Sequence, residues 1–218
     1  MENRIFYTDE YKKIENRILD FLGSQSDFLS PRTINSPRAV GDAIQDLLAD
    51  NFDKILGNLS VNYSSDFARR AMADLAFNDQ AGNYYVIDVK THRLDSNFNM
   101  PNLTSVERLA RFYEDDKNYF VILKVDYKIE KNKLIIKDVN FIPIEFLGWD
   151  CLTLGALGWG QIQIANSNNI CIVPKNDRRK WMLELCDALF DFYPKEIEKI
   201  NNRILYFKRI QKYWKNKK

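Results

Sequence analysis

Two aspartates and a lysine stand out from an otherwise apolar part of the sequence. The segment YYVIDVKTHR, residues 84–93, has the aromatic and β-branched content of a buried strand, yet it carries Asp88 and Lys90 two positions apart. Side chains alternate along a strand, so these two point to the same side of it. A turn that contains Gly82 separates this strand from a shorter one that carries Asp74. A hairpin would therefore bring Asp74 beside Asp88 and Lys90.

Two carboxylates and an amine that converge in this way favour metal-assisted hydrolysis of a phosphodiester. Close carboxylates repel each other, and a divalent cation relieves the repulsion. Mg²⁺ suits oxygen ligands and takes one or two carboxylates together with waters and phosphate oxygens. The lysine would orient or deprotonate a water, or stabilise charge that develops on the phosphate. The alternative interpretation is an ordinary salt bridge at a strand end.

The elements that must position these residues follow from periodicity and from capping signals. Ser36 followed by Pro37 is typical of a helix start, and Pro194 is expected to divide a C-terminal helical pattern into two helices. The predicted helices cover residues 8–23, 37–56, 105–116 and 177–218. The predicted strands cover 72–77, 84–90, 118–127 and 132–144, and residues 161–173 form a last strand or a hairpin.

This order predicts an α/β fold with one central mixed sheet flanked by helices. The length of 218 residues favours a single domain. Its three parts are an N-terminal helix and loop over residues 1–35, a catalytic core over 36–176, and C-terminal helices over 177–218.

Composition excludes several classes of function. The chain has one histidine, which argues against zinc chemistry and against a Ser-His-Asp triad. Cys151, Cys171 and Cys186 show no C-x-x-C spacing, and we interpret them as reduced core residues of a bacterial cytoplasmic protein. No apolar run approaches the roughly 18 residues of a membrane span. Three tryptophans are most simply packing residues: Trp149, Trp181 and Trp214.

Basic residues are concentrated at the C-terminus. Residues 199–218 hold eight of the 32 Lys and Arg residues and none of the 30 acids, so a basic, aromatic segment follows an acidic body. Such a segment suits contact with a phosphate backbone, and we assign that role to Lys208, Arg209 and Lys212. The alternative is a solvated helix end.

The acidic and basic motif resembles the catalytic signature of the PD-(D/E)xK nucleases. Asp74 is followed by Asp88-Val89-Lys90, with Ala73 in place of the usual proline. The longer stretch DVKTHRLDSNFNMPNLTSVERLA, residues 88–110, and GQIQIANSNN, residues 160–169, resemble type II restriction endonucleases of the EcoRV and HincII kind. The resemblance covers residues 36–218 and is strongest from 72 to 112. It implies a restriction-endonuclease-like core.

The same resemblance implies roles for individual residues. Asp74, Asp88 and the main-chain oxygen of Val89 would bind Mg²⁺, and Lys90 would be the catalytic lysine. The loop from Ser96 to Thr104 would read bases, because Asn pairs with adenine edges and apolar groups contact the thymine methyl. Outside the basic segment 199–218, the residues assigned to DNA contact are His92, Arg93, Asn97, Asn99, Met100, Asn102, Trp159 and Gln161.

Alternatives remain for three of these assignments. A surface histidine that contacts no phosphate is the alternative for His92, and a core position is the alternative for Trp159. The loop from Ser96 to Thr104 could be an ordinary polar connection.

The sequence thus predicts a homodimeric, Mg²⁺-dependent restriction endonuclease with no membrane association. Its substrate would be a palindromic site in double-stranded DNA, with a lean toward A·T pairs because the loop lacks arginine, and cleavage could leave blunt ends. Two alternatives stay open. One is another PD-(D/E)xK nuclease, for repair or junction resolution, and the other is a DNA-binding module in which the acids and the lysine are structural.

Overall fold

The computed structural model describes residues 5–25, 29–30, 33–66, 72–96, 98–131 and 133–217. The helices in this part of the chain are α1 (Glu10–Ser24), α2 (Pro37–Leu56), α3 (Val106–Phe112) and α4 (Arg178–Asn216). The strands are β1 (Asn62–Ser64), β2 (Leu75–Asn78), β3 (Tyr84–Arg93), β4 (Asn102–Ser105), β5 (Asn118–Glu130), β6 (Lys133–Pro143), β7 (Leu152–Gly155) and β8 (Gln161–Ile164). Four short 3₁₀ turns complete the described elements.

A five-stranded mixed sheet in the order β1-β2-β3-β5-β6 carries the candidate site. Strand β3 pairs antiparallel with β2 and parallel with β5, and β5 continues into an antiparallel hairpin with β6. Strands β3 and β5 are buried almost continuously, which is typical of parallel strands covered on both faces. The α/β class and the mixed central sheet are confirmed.

A second, three-stranded sheet was not predicted. Strands β4, β8 and β7 form it in the order β4-β8-β7, all antiparallel. Strand β7 occupies the first half of residues 152–160, a segment with three glycines that lies outside all the predicted strands. The prediction of one sheet is therefore wrong, because three strands of four residues each give too little alternation to be distinguished from loop.

Helices α1 and α2 bury their apolar stripes against the five-stranded sheet. Ile14 and Ile18 of α1 and Ile44 and Leu48 of α2 are fully buried. The cap predicted at Ser36 is confirmed, since its side chain accepts a hydrogen bond from Ala39 N. Helix α2 approaches β3 closely at Gly41, where a Cβ would lie 2.7 Å from Thr91 Oγ1. The backbone behind the candidate site is thus held by direct helix–strand contact.

Helix α4 begins at a buried ionic anchor and runs 39 residues without interruption. Arg178 lies between the rings of Tyr113 and Tyr119, at 4.3 and 4.2 Å, and binds the fully buried Glu145 at 2.9 Å. The prediction that Pro194 divides this region into two helices is wrong. Proline removes the hydrogen bond to the carbonyl four residues earlier, but that carbonyl belongs to Phe190, which is 72% exposed, so water can satisfy it.

Candidate active site

The site is built at the point where β2 begins beside the middle of β3. Asp74 immediately precedes β2, and its backbone N–H donates to Ile87 O at 2.8 Å. Its Oδ2 accepts a hydrogen bond from Val89 N, also at 2.8 Å. The Asp74 carboxylate is therefore fixed against the backbone of β3, between Asp88 and Lys90 in sequence. The hairpin predicted to bring Asp74 beside this strand is present.

Asp88 and Lys90 share one side of β3, as the alternation of a strand requires. Lys90 Nζ donates to Asp88 Oδ1 at 2.7 Å. The Asp88 side chain is 11% exposed and the Lys90 side chain 24%, so the ion pair lies near the surface without being freely solvated. The structure thus brings the two carboxylates and the amine together.

The Asp88 carboxyl is only partly satisfied. Its second oxygen, Oδ2, is buried and has no hydrogen-bond partner among the described residues. Burial raises the pKa of Asp88 from 3.8 to about 7, the ammonium of Lys90 acts against that rise, and the charge of Asp74 adds to it. A bound cation would interact with the unpaired Oδ2 and would stabilise the ionised form of this buried carboxyl.

The donor set fits Mg²⁺ better than a softer metal. Among the described residues, no three His, Cys, Asp or Glu side chains gather closely enough to hold a metal ion. A cation here would be held by Asp74, Asp88 and the carbonyl of Val89, and would complete its coordination with water or phosphate oxygens. Mg²⁺ is the ion that binds through one or two carboxylates in this way.

The raised pKa of Asp88 predicts an unusual effect of pH on stability. A folded pKa of about 7 exceeds the unfolded value, so the carboxyl's stabilising contribution is complete below about pH 4 and is lost as the pH rises through about 7. The full shift corresponds to at most about 4 kcal/mol. We expect Asp88→Asn to raise the free energy of unfolding at pH 8 by about 2 kcal/mol, since Lys90 loses its partner and offsets part of the gain.

Urea unfolding at pH 4.5 and pH 8, without divalent metal, measures this difference. The exposed Asp42 of α2 supplies the matched control, and Asp42→Asn should change stability little at either pH. A loss of stability in Asp88→Asn at both pH values would show that the Asp88–Lys90 pair is structural.

A second charged cluster on the same face of the sheet was missed by sequence reasoning. In the parallel pairing of β3 with β5, Lys90 lies opposite Lys124 and His92 opposite Asp126. The Asp126 carboxylate binds Lys124 Nζ and lies 3.1 Å from His92 Nδ1. The signal was present, because Lys124 and Asp126 stand two apart in an apolar strand, as Asp88 and Lys90 do.

His92 does not occupy the surface position considered for it. It is 2% exposed, with Nε2 buried and without a partner in the described chain. The alternative of a surface histidine is therefore wrong, and the assigned contact with a DNA phosphate, which would require the ring to become exposed, stays a prediction. The cause is the alternation of β3, which places His92 on the same side as Asp88 and next to Asp126.

The two segments predicted to read bases meet in the three-stranded sheet. Asn102 lies on β4 and Gln161 on β8, where Asn102 is opposite Gln163 and accepts a hydrogen bond from its side-chain amide. Asn99 and Met100 are exposed just before β4, and Asn99 O accepts from Ser167 N. Asn97 lies outside the described residues. The contacts with DNA stay predictions.

The remaining assigned residues are accessible to different degrees. Trp159 is 56% exposed, so the alternative of a core position is wrong. Arg93 binds Asp95 through both Nε and Nη2, at 2.6 and 2.8 Å. Lys208, Arg209 and Lys212 are exposed on α4.

The packing predicted for the tryptophans is found for Trp149 and Trp181, whose rings lie 5.1 Å apart. Trp214 is 60% exposed and Cys186 is also exposed, so Trp214 and Cys186 are not core residues.

Two arginines near the site were also not anticipated. Arg108 and Arg111 of α3 line a groove of about 530 Å³ together with Ala73, which precedes Asp74, and Val86, which lies two residues before Asp88. Their spacing of three residues in a short helix after the base-reading loop was the available signal. Positive charge beside the acids suits an approaching phosphate.

Comparison with known proteins leaves the family open. The chain matches no protein-family model, and no curated protein sequence matches it.

No helix among the described residues has the length and apolar character needed to cross a membrane.

Proposed function

We propose that this chain is a Mg²⁺-dependent endonuclease that hydrolyses double-stranded DNA at a specific palindromic site, as type II restriction endonucleases of the EcoRV and HincII kind do. The observation that carries the proposal is the convergence of Asp74, Asp88 and Lys90 on one stretch of β3, with Lys90 Nζ 2.7 Å from Asp88 Oδ1. The resemblance of residues 72–112 to those enzymes supports the same assignment.

Each of these side chains has a distinct task in the proposed reaction. Asp74 is oriented by Val89 N and presents its carboxylate along β3. Asp88 offers the buried Oδ2 that has no partner in the described chain. Lys90 holds an ammonium beside the scissile phosphate, where it orients the attacking water and stabilises negative charge as it develops. A bound Mg²⁺ would supply Lewis acidity and lower the pKa of a coordinated water.

We assign sequence recognition to the paired strands β4 and β8. Asn102 and Gln163 present paired side-chain amides there, and amides of this kind bind adenine bidentately in the major groove. Phosphate contacts would come from the arginines of α3 and from the basic part of α4. A homodimer would read a palindrome, because a two-fold protein matches a two-fold site.

Replacing Asn102 by alanine is expected to remove discrimination at one base pair. The loss should be roughly 1–3 kcal/mol, the value of a good bidentate contact. Binding to a scrambled duplex should hardly change, because nonspecific affinity comes from phosphates. Titrations of the cognate and scrambled duplexes with Ca²⁺ measure both affinities.

The control removes charge instead of base contacts. Arg209→Ala combined with Lys212→Ala should weaken binding to both duplexes alike and lower the salt-dependence slope by up to about 2. Equal weakening of both duplexes by Asn102→Ala would assign Asn102 to phosphate contact or to structural support.

A digest of a long DNA with Mg²⁺ tests the proposed function against its alternatives. Discrete, reproducible fragments are expected. A smear, or nicking that depends on DNA structure, would indicate a nuclease of repair or junction resolution. DNA that is bound but stays intact would indicate a binding module in which the Asp88–Lys90 pair is structural.

A further inference from the structure

Most of α4 is left without a partner inside the described chain. Only Trp181 and Leu185 of this 39-residue helix are buried, and both lie near its beginning. Large apolar side chains are exposed along the rest of it, including Phe190 at 72%, Phe207 at 64% and Trp214 at 60%. Exposed apolar surface on this scale marks an interaction site.

Eight of the eleven large apolar side chains exposed on α4 follow a heptad spacing, and Leu205, Tyr206 and Tyr213 do not. With Cys186 and Gln211 included, steps of three and four residues alternate without a break from Leu183 to Trp214, a length of about 47 Å at 1.5 Å per residue. We call these ten positions the seam, and all of them are exposed: Leu183, Cys186, Phe190, Tyr193, Ile197, Ile200, Ile204, Phe207, Gln211 and Trp214. Alternation of three and four is the pattern of the a and d positions in a coiled coil.

Most of the seam lies on a different face of α4 from the one that contacts the body, and Tyr193 is the seam residue that reaches both, since its hydroxyl donates to Trp159 O at 2.7 Å. Trp181 and Leu185 are buried in the core, and Leu189 packs against it. Leu189 and Phe192 also lie close to Gly160. At 100° per residue Trp181, Leu185 and Phe192 lie roughly 100° or more round the helix from the neighbouring seam positions, whereas Leu189 lies at the border between the two faces. A second helix can therefore lie along the seam while α4 stays docked on its own chain.

Charge along α4 is segregated by position. Residues 184–198 carry five acids (Glu184, Asp187, Asp191, Glu196 and Glu198) and one base, whereas residues 199–217 carry seven bases and no acid. Two such helices side by side in parallel would place like charges together, which is unfavourable. In an antiparallel arrangement the acidic half of each would lie along the basic half of the other.

We propose that two copies of this chain associate through the seam as an antiparallel helix pair. The arrangement is isologous, so the same surface serves both copies and the complex closes as a dimer. The proposal does not depend on nuclease chemistry, although a nuclease that cuts both strands of a palindrome would use such an interface.

One register pairs all the large apolar residues of the seam. With the two-fold axis between Ile197 and Ile200, four pairs are apolar: Leu183 with Trp214, Phe190 with Phe207, Tyr193 with Ile204, and Ile197 with Ile200. The fifth pair, Cys186 with Gln211, is the one polar layer. The flanking positions agree in the same register, since Glu196 meets Arg203, Asp187 meets Lys208 and Leu189 meets Ile210. Pro194 falls beside the seam, opposite Asn201.

The surface is large enough for a stable dimer. Aromatic side chains bury about 150–250 Å² each when fully covered, and the pair would cover four from each copy along with their aliphatic neighbours. This reaches the range of about 1,200–2,000 Å² found in stable interfaces. Arg209 and Lys212 stay outside the seam and remain available to phosphates.

Sedimentation of the full chain across a range of concentrations tests the interface. We expect a dimer at micromolar concentration, and we expect Ile200→Asp to raise the dissociation constant at least 100-fold, because the change acts twice beside the axis. The matched control is Leu205→Asp, at an equally exposed position off the seam, which should stay dimeric. Circular dichroism confirms that both variants keep α4. Wild-type protein that is monomeric at all concentrations, or equal effects of the two variants, would overturn the proposal.

Cross-linking through the exposed Cys186 tests the orientation. Gln211→Cys places a thiol opposite Cys186 of the second copy, so diamide should oxidise the two thiols to a disulfide and give a covalent dimer. Adding Cys186→Ser to that variant should abolish the cross-link. Wild-type protein should not cross-link, because its two Cys186 residues would be about 37 Å apart along the helices. Efficient cross-linking of the wild type through Cys186 would show a parallel pair and overturn the antiparallel arrangement.

Discussion

Lys90→Ala is expected to lower the rate of DNA cleavage by about 10³-fold, or about 4 kcal/mol of transition-state stabilisation. Lys90 Nζ lies beside Asp88 and is partly exposed, so it can reach both a water and a phosphate. Its positive charge interacts most strongly with the charge that develops in the transition state, so the loss should fall on kcat more than on substrate binding. Single-turnover cleavage of a cognate duplex measures this rate.

The matched control removes an exposed lysine outside the cluster. Lys128 lies on the neighbouring strand β5, and Lys128→Ala should cleave at nearly the wild-type rate. Lys90→Ala should still bind DNA in Ca²⁺, since the two candidate metal-binding acids are intact. A Lys90→Ala enzyme that cleaves within a few-fold of wild type would remove this residue from the mechanism.

Asp74→Asn and Asp88→Asn are each expected to abolish detectable cleavage, a loss of roughly 10³-fold or more. Each change removes one negative charge while keeping the shape of the side chain. Asparagine suits position 74 better than alanine does, because its amide oxygen can still accept from Val89 N and keep the strand in place. Folding should therefore survive in both variants.

Separate measurements of binding and stability distinguish a catalytic defect from a structural one. Both variants should bind cognate DNA, and wild-type protein should gain thermal stability when Mg²⁺ is added. That gain should disappear in both variants. If either variant lost folding and DNA binding together, the acids would be parts of a structural pair.

The sequence was most informative where local chemistry decides the structure. The strand around Asp88 was predictable because aromatic and β-branched residues are concentrated in the predicted segment 84–90, which the structure extends to Arg93. The start of α2 was predictable because a capping serine and a proline determine the first turn without help from the rest of the fold. The convergence of Asp74, Asp88 and Lys90 followed from that strand and a short turn.

The structural features that the sequence did not predict depend on contacts between distant segments. The burial of His92 is a consequence of its pairing position opposite Asp126, 34 residues later, which no local pattern specifies. The four-residue strands β4, β7 and β8 form because they pair with one another, since each alone is too short to be recognised. Helix α4 passes through Pro194 because its exposed surface lets water take the place of the lost hydrogen bond.

Cleavage of supercoiled DNA by wild type and Asp88→Asn, purified in parallel, tests most directly whether this cluster hydrolyses the DNA backbone. With Mg²⁺, the wild type should convert the substrate to open and linear forms, EDTA should stop the reaction, and Asp88→Asn should leave the DNA supercoiled while still binding it. Equal cleavage by both proteins, or none by either despite binding, would contradict the assignment of nuclease activity to Asp74, Asp88 and Lys90.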